Sequence, residues 1–145
     1  MKKALAVAIL VVIILIAAFS YFNLAEEEIV SPGDHIKENQ IIATEDYVIL
    51  ELNDAVLAEF AATGSMLPAL NEFSTGIEIK PKSEEQIKVG DIIVYERSNE
   101  QIIHRVKYIK EENGEEIFVL QGDNDNFKEE VRFQEIKYIL VGVIY

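Results

Sequence analysis

The stretch YIKEENGEEIFVLQ, residues 108–121, places an Asn-Gly pair between two runs rich in β-branched and aromatic residues. Asn113-Gly114 favours a type I′ turn, because both central residues of that turn need positive φ. The stretch therefore predicts a β-hairpin with a two-residue loop. Such a loop sets the register of the two strands, so Glu112 should face Glu115.

The same register extends towards a histidine on the first strand. Carrying the ladder outward places His104 opposite Asp123, close enough for an imidazole–carboxylate hydrogen bond, unless a β-bulge lies between them. By strict alternation, His104 shares a largely apolar face with Ile102, Val106 and Tyr108. This histidine is thus either a structural residue with one hydrogen bond or a functional one.

The rest of the chain after residue 46 also indicates β-structure. Its apolar segments are short, β-branched or aromatic, and separated by turn residues. We expect a mainly β fold, in a compact and mostly antiparallel domain. The segment AVLAEFA is also consistent with a turn of helix. The predicted strands are YVILEL (47–52), AVLAEFA (55–61), GIEIK (76–80), DIIVYE (91–96), QIIHRVKYI (101–109), EEIFVLQ (115–121) and IKYILVGVIY (136–145).

The N-terminus is far more apolar than the rest. Residues 4–22 contain one serine and no charge, and a helix of that length spans about 28 Å, close to the thickness of a bilayer core. Lys2 and Lys3 precede the run and an acidic stretch follows, which predicts a cytoplasmic N-terminus and an extracytoplasmic remainder. A cleavable signal peptide is the alternative, although its apolar core is usually shorter.

These features divide the chain into three parts. We expect a cytoplasmic tip and transmembrane helix over 1–22, a polar connector over 23–45, and an extracytoplasmic β domain over 46–145. The connector carries the turn signal SPGD, and His35 just after it reads as a solvated loop residue.

Composition excludes several classes of function. The chain has a net charge of −13, which argues against nucleic acid as a partner. It contains no cysteine, so disulfides, thiol catalysis and cysteine-ligated zinc are excluded. No motif calls for a cofactor or a metal.

A serine interrupts the apolar pattern at TGSMLP, residues 63–68. Ser65 becomes a nucleophile only if a base takes its proton, which a histidine does near neutral pH, and a carboxylate can orient that histidine. Ser65, His104 and Asp123 supply these three residue types. Gly64 leaves room for a substrate, and the Thr63 hydroxyl or the Ser65 amide can face an oxyanion. A turn serine that caps the next segment would look the same.

Four ordered motifs resemble the conserved boxes of type I signal peptidases, the membrane-bound serine proteases that remove signal peptides. The histidine before Arg-Val is similar to the archaeal and endoplasmic-reticulum branch. The resemblance covers roughly residues 60 to 130 and the anchor. The motifs are TGSMLP (63–68), VGDIIVYE (89–96), IIHRVKYI (102–109) and QGDNDN (121–126).

The resemblance implies a role for each matching residue. The nucleophile falls on Ser65, the base on His104 and the aspartate of the Gly-Asp-Asn box on Asp123. Relatives carry a second aspartate about six residues later, where this chain has Glu129, so the orienting acid is open between Asp123 and Glu129, with Asp125 as third choice. The oxyanion hole and substrate contacts are expected from Thr63, Gly64 and Met66.

Two functions are consistent with these motifs. The first is a membrane-anchored serine endopeptidase that cleaves signal peptides of exported preproteins through an acyl-enzyme. The second is a non-catalytic relative, a membrane-tethered β domain that binds peptides or partner subunits. In both, the partners are peptides and, through the N-terminal helix, membrane lipid.

Overall fold

The computed structural model describes residues 11–15 and 29–145. Residues 11–15 are helical, while the rest of the predicted membrane helix and the start of the connector lie outside the described residues. Within the described ranges, no helix has the length and hydropathy needed to cross a bilayer. The anchor over 4–22 therefore stays a prediction.

Strands dominate residues 41–144, and every strand pair is antiparallel, which confirms the mainly β prediction. β1 and β2 form a two-stranded sheet, and the others form a seven-stranded sheet in the order β3-β4-β9-β5-β6-β7-β8. The strands are β1 Ile41–Ala43, β2 Val48–Leu50, β3 Val56–Glu59, β4 Thr75–Ile79, β5 Ile92–Arg97, β6 Glu100–Glu112, β7 Glu115–Gln121, β8 Lys128–Arg132 and β9 Ile136–Ile144.

Each segment predicted as a strand overlaps an observed one, and AVLAEFA contains β3 rather than a helical turn. Two strands were not predicted. β1 lies at the end of the polar connector. β8 has the sequence KEEVR, which is too charged to be predicted as a strand, although it pairs with β7. β8 lies at an edge of the large sheet, where charged side chains are normal because they discourage pairing with other chains.

The predicted hairpin is confirmed at its turn. Asn113 and Gly114 have φ of 55° and 83°, as a type I′ turn requires, and Glu112 faces Glu115. A second turn of the same kind joins β5 to β6, where Ser98 and Asn99 have φ of 54° and 64°. The two tight turns place β5, β6 and β7 side by side.

A β-bulge changes the register further out on the same hairpin. Val106 pairs with Leu120 but Tyr108 pairs with Val119, so β6 carries one extra residue between them. The prediction that His104 lies opposite Asp123 is therefore wrong. The bulge also turns Tyr108 to the surface, and Ile109 takes its expected place on the core face of β6.

Both faces of the large sheet are packed. Ile92 and Ile93 are neighbours on β5, so their side chains point to opposite faces, and both are buried. One face carries the larger core, made of Ile87, Ile93, Tyr95, Val106, Phe118, Leu120, Val131, Ile136 and Ile139. The other carries a smaller core of Met66, Leu70, Ile92 and Leu140, against which Phe60 and Ile103 pack.

The end of the connector is tied to the sheet. His35 Nε2 lies 2.9 Å from Asp91 Oδ1, and its side chain is 13% exposed, so His35 is not the solvated loop residue expected. The same carboxylate accepts hydrogen bonds from the amides of Gly33 at 2.7 Å and Lys88 at 2.8 Å. Asp91 thus joins the connector to the loop before β5.

Candidate active site

Ser65 lies in the turn-rich segment between β3 and β4. Gly64 before it has φ of +74°, a left-handed conformation that side chains rarely adopt, which explains glycine at this position. The Ser65 side chain oxygen lies 3.2 Å from Thr63 Oγ1, and the Ser65 amide donates to the same atom at 3.4 Å. The Thr63 hydroxyl therefore contacts both the hydroxyl and the amide of Ser65.

The loop after β7 clamps the Ser65 turn. The Asn124 amide donates to the Ser65 carbonyl at 2.8 Å, and Asn124 Nδ2 donates to the Gly64 carbonyl at 3.2 Å. Gly122 lets this contact form, because a Cβ there would be 2.6 Å from the Ser65 carbonyl oxygen and 3.3 Å from His104 Cδ2. Gly122 thus lies between the serine turn and the histidine ring.

His104 is 7% exposed and lies on the face of β6 that carries the larger core. Its Nδ1 is 3.3 Å from the Tyr95 hydroxyl oxygen and 3.5 Å from Glu129 Oε2. The Tyr95 hydroxyl donates a short hydrogen bond to Glu129. Because the hydroxyl proton points to Glu129, the Tyr95 oxygen accepts from His104, so Nδ1 carries the ring proton and Nε2 keeps its lone pair.

The surroundings of His104 act on its pKa in opposite directions. Burial lowers the pKa of the imidazole, whereas the negative charges of Glu129, Asp125 and Asp123 raise it. Burial wins, so the pKa of His104 lies below its ordinary value. The neutral imidazole, which is the form that can accept a proton, is therefore favoured at neutral pH.

Glu129 is anchored as well as close to the histidine. It comes from β8, its side chain is 12% exposed, and Arg97 Nη1 donates to its Oε1 at 2.9 Å. Burial, together with the Glu129 carboxylate, raises the pKa of Tyr95, so the phenol keeps its proton. Arg97, Glu129, Tyr95 and His104 therefore form one connected polar cluster at the margin of the larger core.

Asp123 forms its side-chain hydrogen bonds with Arg105 and not with His104. Arg105 Nε and Nη2 each lie 2.7 Å from one oxygen of the Asp123 carboxylate, and both side chains are almost fully buried. Arg105 Nη1 also donates to the Gly90 carbonyl at 2.8 Å. This bidentate pair ties the loop after β7 to β6 and to the loop before β5.

The remaining candidates lie around Ser65 and the loop after β7. Asp125 is exposed, and its Oδ1 accepts the Phe127 amide at 3.0 Å. Met66 is 3% exposed and belongs to the smaller core. Thr63 is exposed beside the Ser65 hydroxyl. No hydrogen bond joins Ser65 to His104 within the described ranges.

A cleft of about 310 Å³ begins at the serine. It lies between the β3 end of the sheet and the start of β6, and Ser65 is among its lining residues whereas His104 is not. Most of its walls are apolar, and Glu78 is buried within it. The lining residues are Ala58, Glu59, Phe60, Ala61, Thr63, Gly64, Ser65, Met66, Leu70, Glu78, Val94, Glu100, Gln101, Ile102 and Ile103.

Sequence reasoning missed Tyr95 and Arg97 as partners of the histidine site. A signal was present, because the Ser98-Asn99 turn sets a register in which Ile93 faces His104 and Tyr95 is its diagonal neighbour. Neither residue of that pair is glycine, so the turn is less evident from sequence than Asn113-Gly114. Glu129 was found only through the resemblance.

Comparison of the chain with models of protein families, with curated proteins and with solved structures finds no match.

Proposed function

We propose that this protein is a membrane-anchored serine endopeptidase that cleaves signal peptides from exported preproteins. The observation that carries the proposal is the placement of His104. One edge of its ring faces Tyr95 and Glu129, and the other lies beside Gly122, which also contacts the Ser65 backbone. A base oriented by an acid on one side, with a serine turn across a single glycine on the other, supports a serine nucleophile at Ser65.

Each residue then has a role in acyl transfer. Ser65 Oγ attacks the scissile carbonyl, and His104 Nε2 takes its proton and later delivers it to the leaving amine. Glu129, directly and through Tyr95, keeps the proton on Nδ1 and stabilises the imidazolium. In the free protein Ser65 Oγ bonds to Thr63, and we expect it to turn towards His104 when substrate binds, since such bonds often tighten only in the complex.

Thr63 supports the oxyanion, and Gly64 leaves room for the substrate. The Thr63 hydroxyl lies beside Ser65 Oγ and can donate to an oxygen that becomes negative there. Gly64 presents no side chain to the approaching peptide. Water then hydrolyses the acyl-enzyme, with His104 as the base again.

The cleft supports an extended substrate. β3 is an edge strand of the large sheet, and Ala58, Glu59 and Phe60 at its end line the cleft. An edge strand offers free backbone groups to which a peptide can add as a further strand. We expect the substrate to lie along this edge with its scissile bond at Ser65, and residues 4–22 to hold the domain at the membrane.

The first test is cleavage of a preprotein with small residues at positions −1 and −3 by the detergent-solubilised full chain. We expect processing by the wild type and a loss of about 10⁴-fold or more in Ser65→Ala. Ser83→Ala, in the loop after β4, is the matched control and should process normally.

Two outcomes would contradict the proposal. Persistent cleavage by Ser65→Ala would show that another group is the nucleophile. A folded wild type that binds the preprotein but never cleaves it would favour the non-catalytic peptide-binding domain.

A further inference from the structure

Glu78 is a buried carboxyl on β4 that the proposed chemistry does not use. It faces Val56 on β3 and Leu140 on β9, and it is 3% exposed. Gly76, two residues earlier, shares this face, and a Cβ there would be 2.5 Å from the Phe60 ring and 2.8 Å from Leu140. The side chain of Glu78 therefore lies among apolar groups in the wall of the cleft that begins at Ser65.

The carboxyl of Glu78 is unpartnered. Within residues 11–15 and 29–145, no group donates a hydrogen bond to it or forms an ion pair with it. Burial raises its pKa, as expected for a carboxyl removed from water without compensation. A buried carboxyl of this kind destabilises the fold, so its position in the cleft calls for a ligand that satisfies it.

The other charges of the cleft have the same sign. Glu59 at the end of β3 and Glu100 at the start of β6 also line it, and its described lining contains no lysine, arginine or histidine. The field inside the cleft is therefore negative and attracts a cation. An anionic or purely apolar occupant would leave Glu78 without a partner.

We propose that Glu78 determines specificity, and that the cleft takes a basic side chain of the peptide, whose ammonium or guanidinium group pairs with the Glu78 carboxylate. The apolar walls accommodate the aliphatic stem of a lysine or arginine while its charged end reaches the carboxyl. The substrate class is thus a peptide with a basic residue near the scissile bond. This role of Glu78 rests on the proposed function for the reaction at Ser65, but the binding itself does not need that reaction.

Desolvation favours this pair more than it favours most buried ion pairs. Many buried ion pairs contribute little, because both charges must leave water when the pair forms. Here folding has already removed most of the Glu78 side chain from water, so binding desolvates mainly the incoming cation. The pair is then favourable relative to the free protein, and the preference belongs to Glu78 rather than to the cleft rim.

The test measures binding in a Ser65→Ala background, where no peptide is consumed. Extended fluorescent peptides carry a single lysine moved through the positions around the scissile bond, each compared with norleucine at the same position. At one position we expect the lysine peptide to bind about tenfold or more tightly, and Glu78→Gln to abolish that preference. Glu111→Gln, on the exposed end of β6, is the control and should keep it.

Two results would overturn the inference. One is a norleucine peptide that binds at least as well as its lysine partner at every position. The other is a lysine preference that survives in Glu78→Gln. If that variant failed to fold, Glu78→Met makes the same comparison, because an unbranched apolar side chain suits the surrounding walls.

The experiments can contradict the peptidase reaction and the role of Glu78 independently of each other. If the wild type cleaved neither peptide while the lysine preference still depended on Glu78, the specificity site would stand and the peptidase reaction would fall. If the wild type cleaved the preprotein with no preference for lysine, the reaction would stand and the role of Glu78 would fall.

Discussion

At the scale of single residues, two acids near His104 have different roles. Glu129 lies 3.5 Å from the imidazole and shares the Tyr95 hydroxyl with it, whereas Asp123 is held by two bonds from Arg105. An acid that touches the base can change its proton affinity and its tautomer. An acid in a buried ion pair with an arginine chiefly holds two segments together.

The pH dependence of cleavage should distinguish the two acids. The proposed mechanism requires neutral His104, so the rate should rise with pH to a plateau, with its midpoint below the ordinary histidine value of about 6.5 because burial lowers the pKa. Glu129→Gln removes a charge that raises this pKa, so the midpoint should move further down and the plateau rate should fall about 10²-fold or more. Measurement of kcat/KM from pH 5 to 8 checks both.

Asp123→Asn is the counterpart of that variant. It leaves the Arg105 guanidinium buried without its counter-charge, and it should lower the free energy of unfolding by about 3 kcal/mol. Its pH midpoint should stay closer to that of the wild type than the midpoint of Glu129→Gln. A larger midpoint shift in Asp123→Asn, in a folded protein, would make Asp123 the orienting acid.

At the scale of elements, the β6–β7 hairpin carries both the histidine and the loop that clamps the serine. The turn of this hairpin follows from the local sequence, but the bulge changes the register at the end of the hairpin where the candidate site lies. With one extra residue in β6 between Val106 and Tyr108, Arg105 pairs with Gln121, and Gly122 comes beside the His104 ring. The bulge thus brings a residue with no side chain to the place where the serine turn must approach.

The turn offers a direct test of this hairpin. Gly114 has φ of +83° and open space where a Cβ would point, so Gly114→Ala introduces backbone strain without a steric clash. We expect a loss of about 1–2 kcal/mol in the free energy of unfolding, measured by urea denaturation of the solubilised chain. Asn113→Gly, at the adjacent positive φ, should be close to neutral. Equal stability of wild type and Gly114→Ala would mean that the turn does not constrain the hairpin.

At the scale of the whole molecule, the connector and the β domain are held together at Asp91. This fully buried carboxylate accepts from His35, Gly33 and Lys88. Burial alone raises the pKa of Asp91, but these hydrogen bonds outweigh it and lower the pKa below its ordinary value. Asp91 is therefore one ionised side chain that ties residues 33–35 to the loop before β5.

Asp91→Asn should separate the connector from the sheet. The amide of asparagine places an N–H donor where the carboxylate accepts backbone N–H groups. We therefore expect the free energy of unfolding to fall by about 2 kcal/mol at neutral pH. Because the folded-state pKa is lowered, the stabilisation by Asp91 is present above the ordinary aspartate pKa and disappears as pH falls through the lower value. The difference in the free energy of unfolding between wild type and Asp91→Asn should therefore decrease at acidic pH. Asp34→Asn, exposed in the same segment, should change little, and a gap independent of pH would contradict the assignment.

Sequence by itself determined the features that depend on neighbours along the chain. The Asn113-Gly114 turn, the pairing close to it and most strands follow from local turn chemistry and from alternation. Only the tertiary structure decided the rest, because those features depend on which side chains find room in a shared core. Burial of Ile109 goes with the bulge, pairing with β7 makes a strand of the charged β8, and Arg105 rather than His104 binds Asp123. These features depend on packing and desolvation summed over the whole domain, and a local sequence pattern carries no information about that sum.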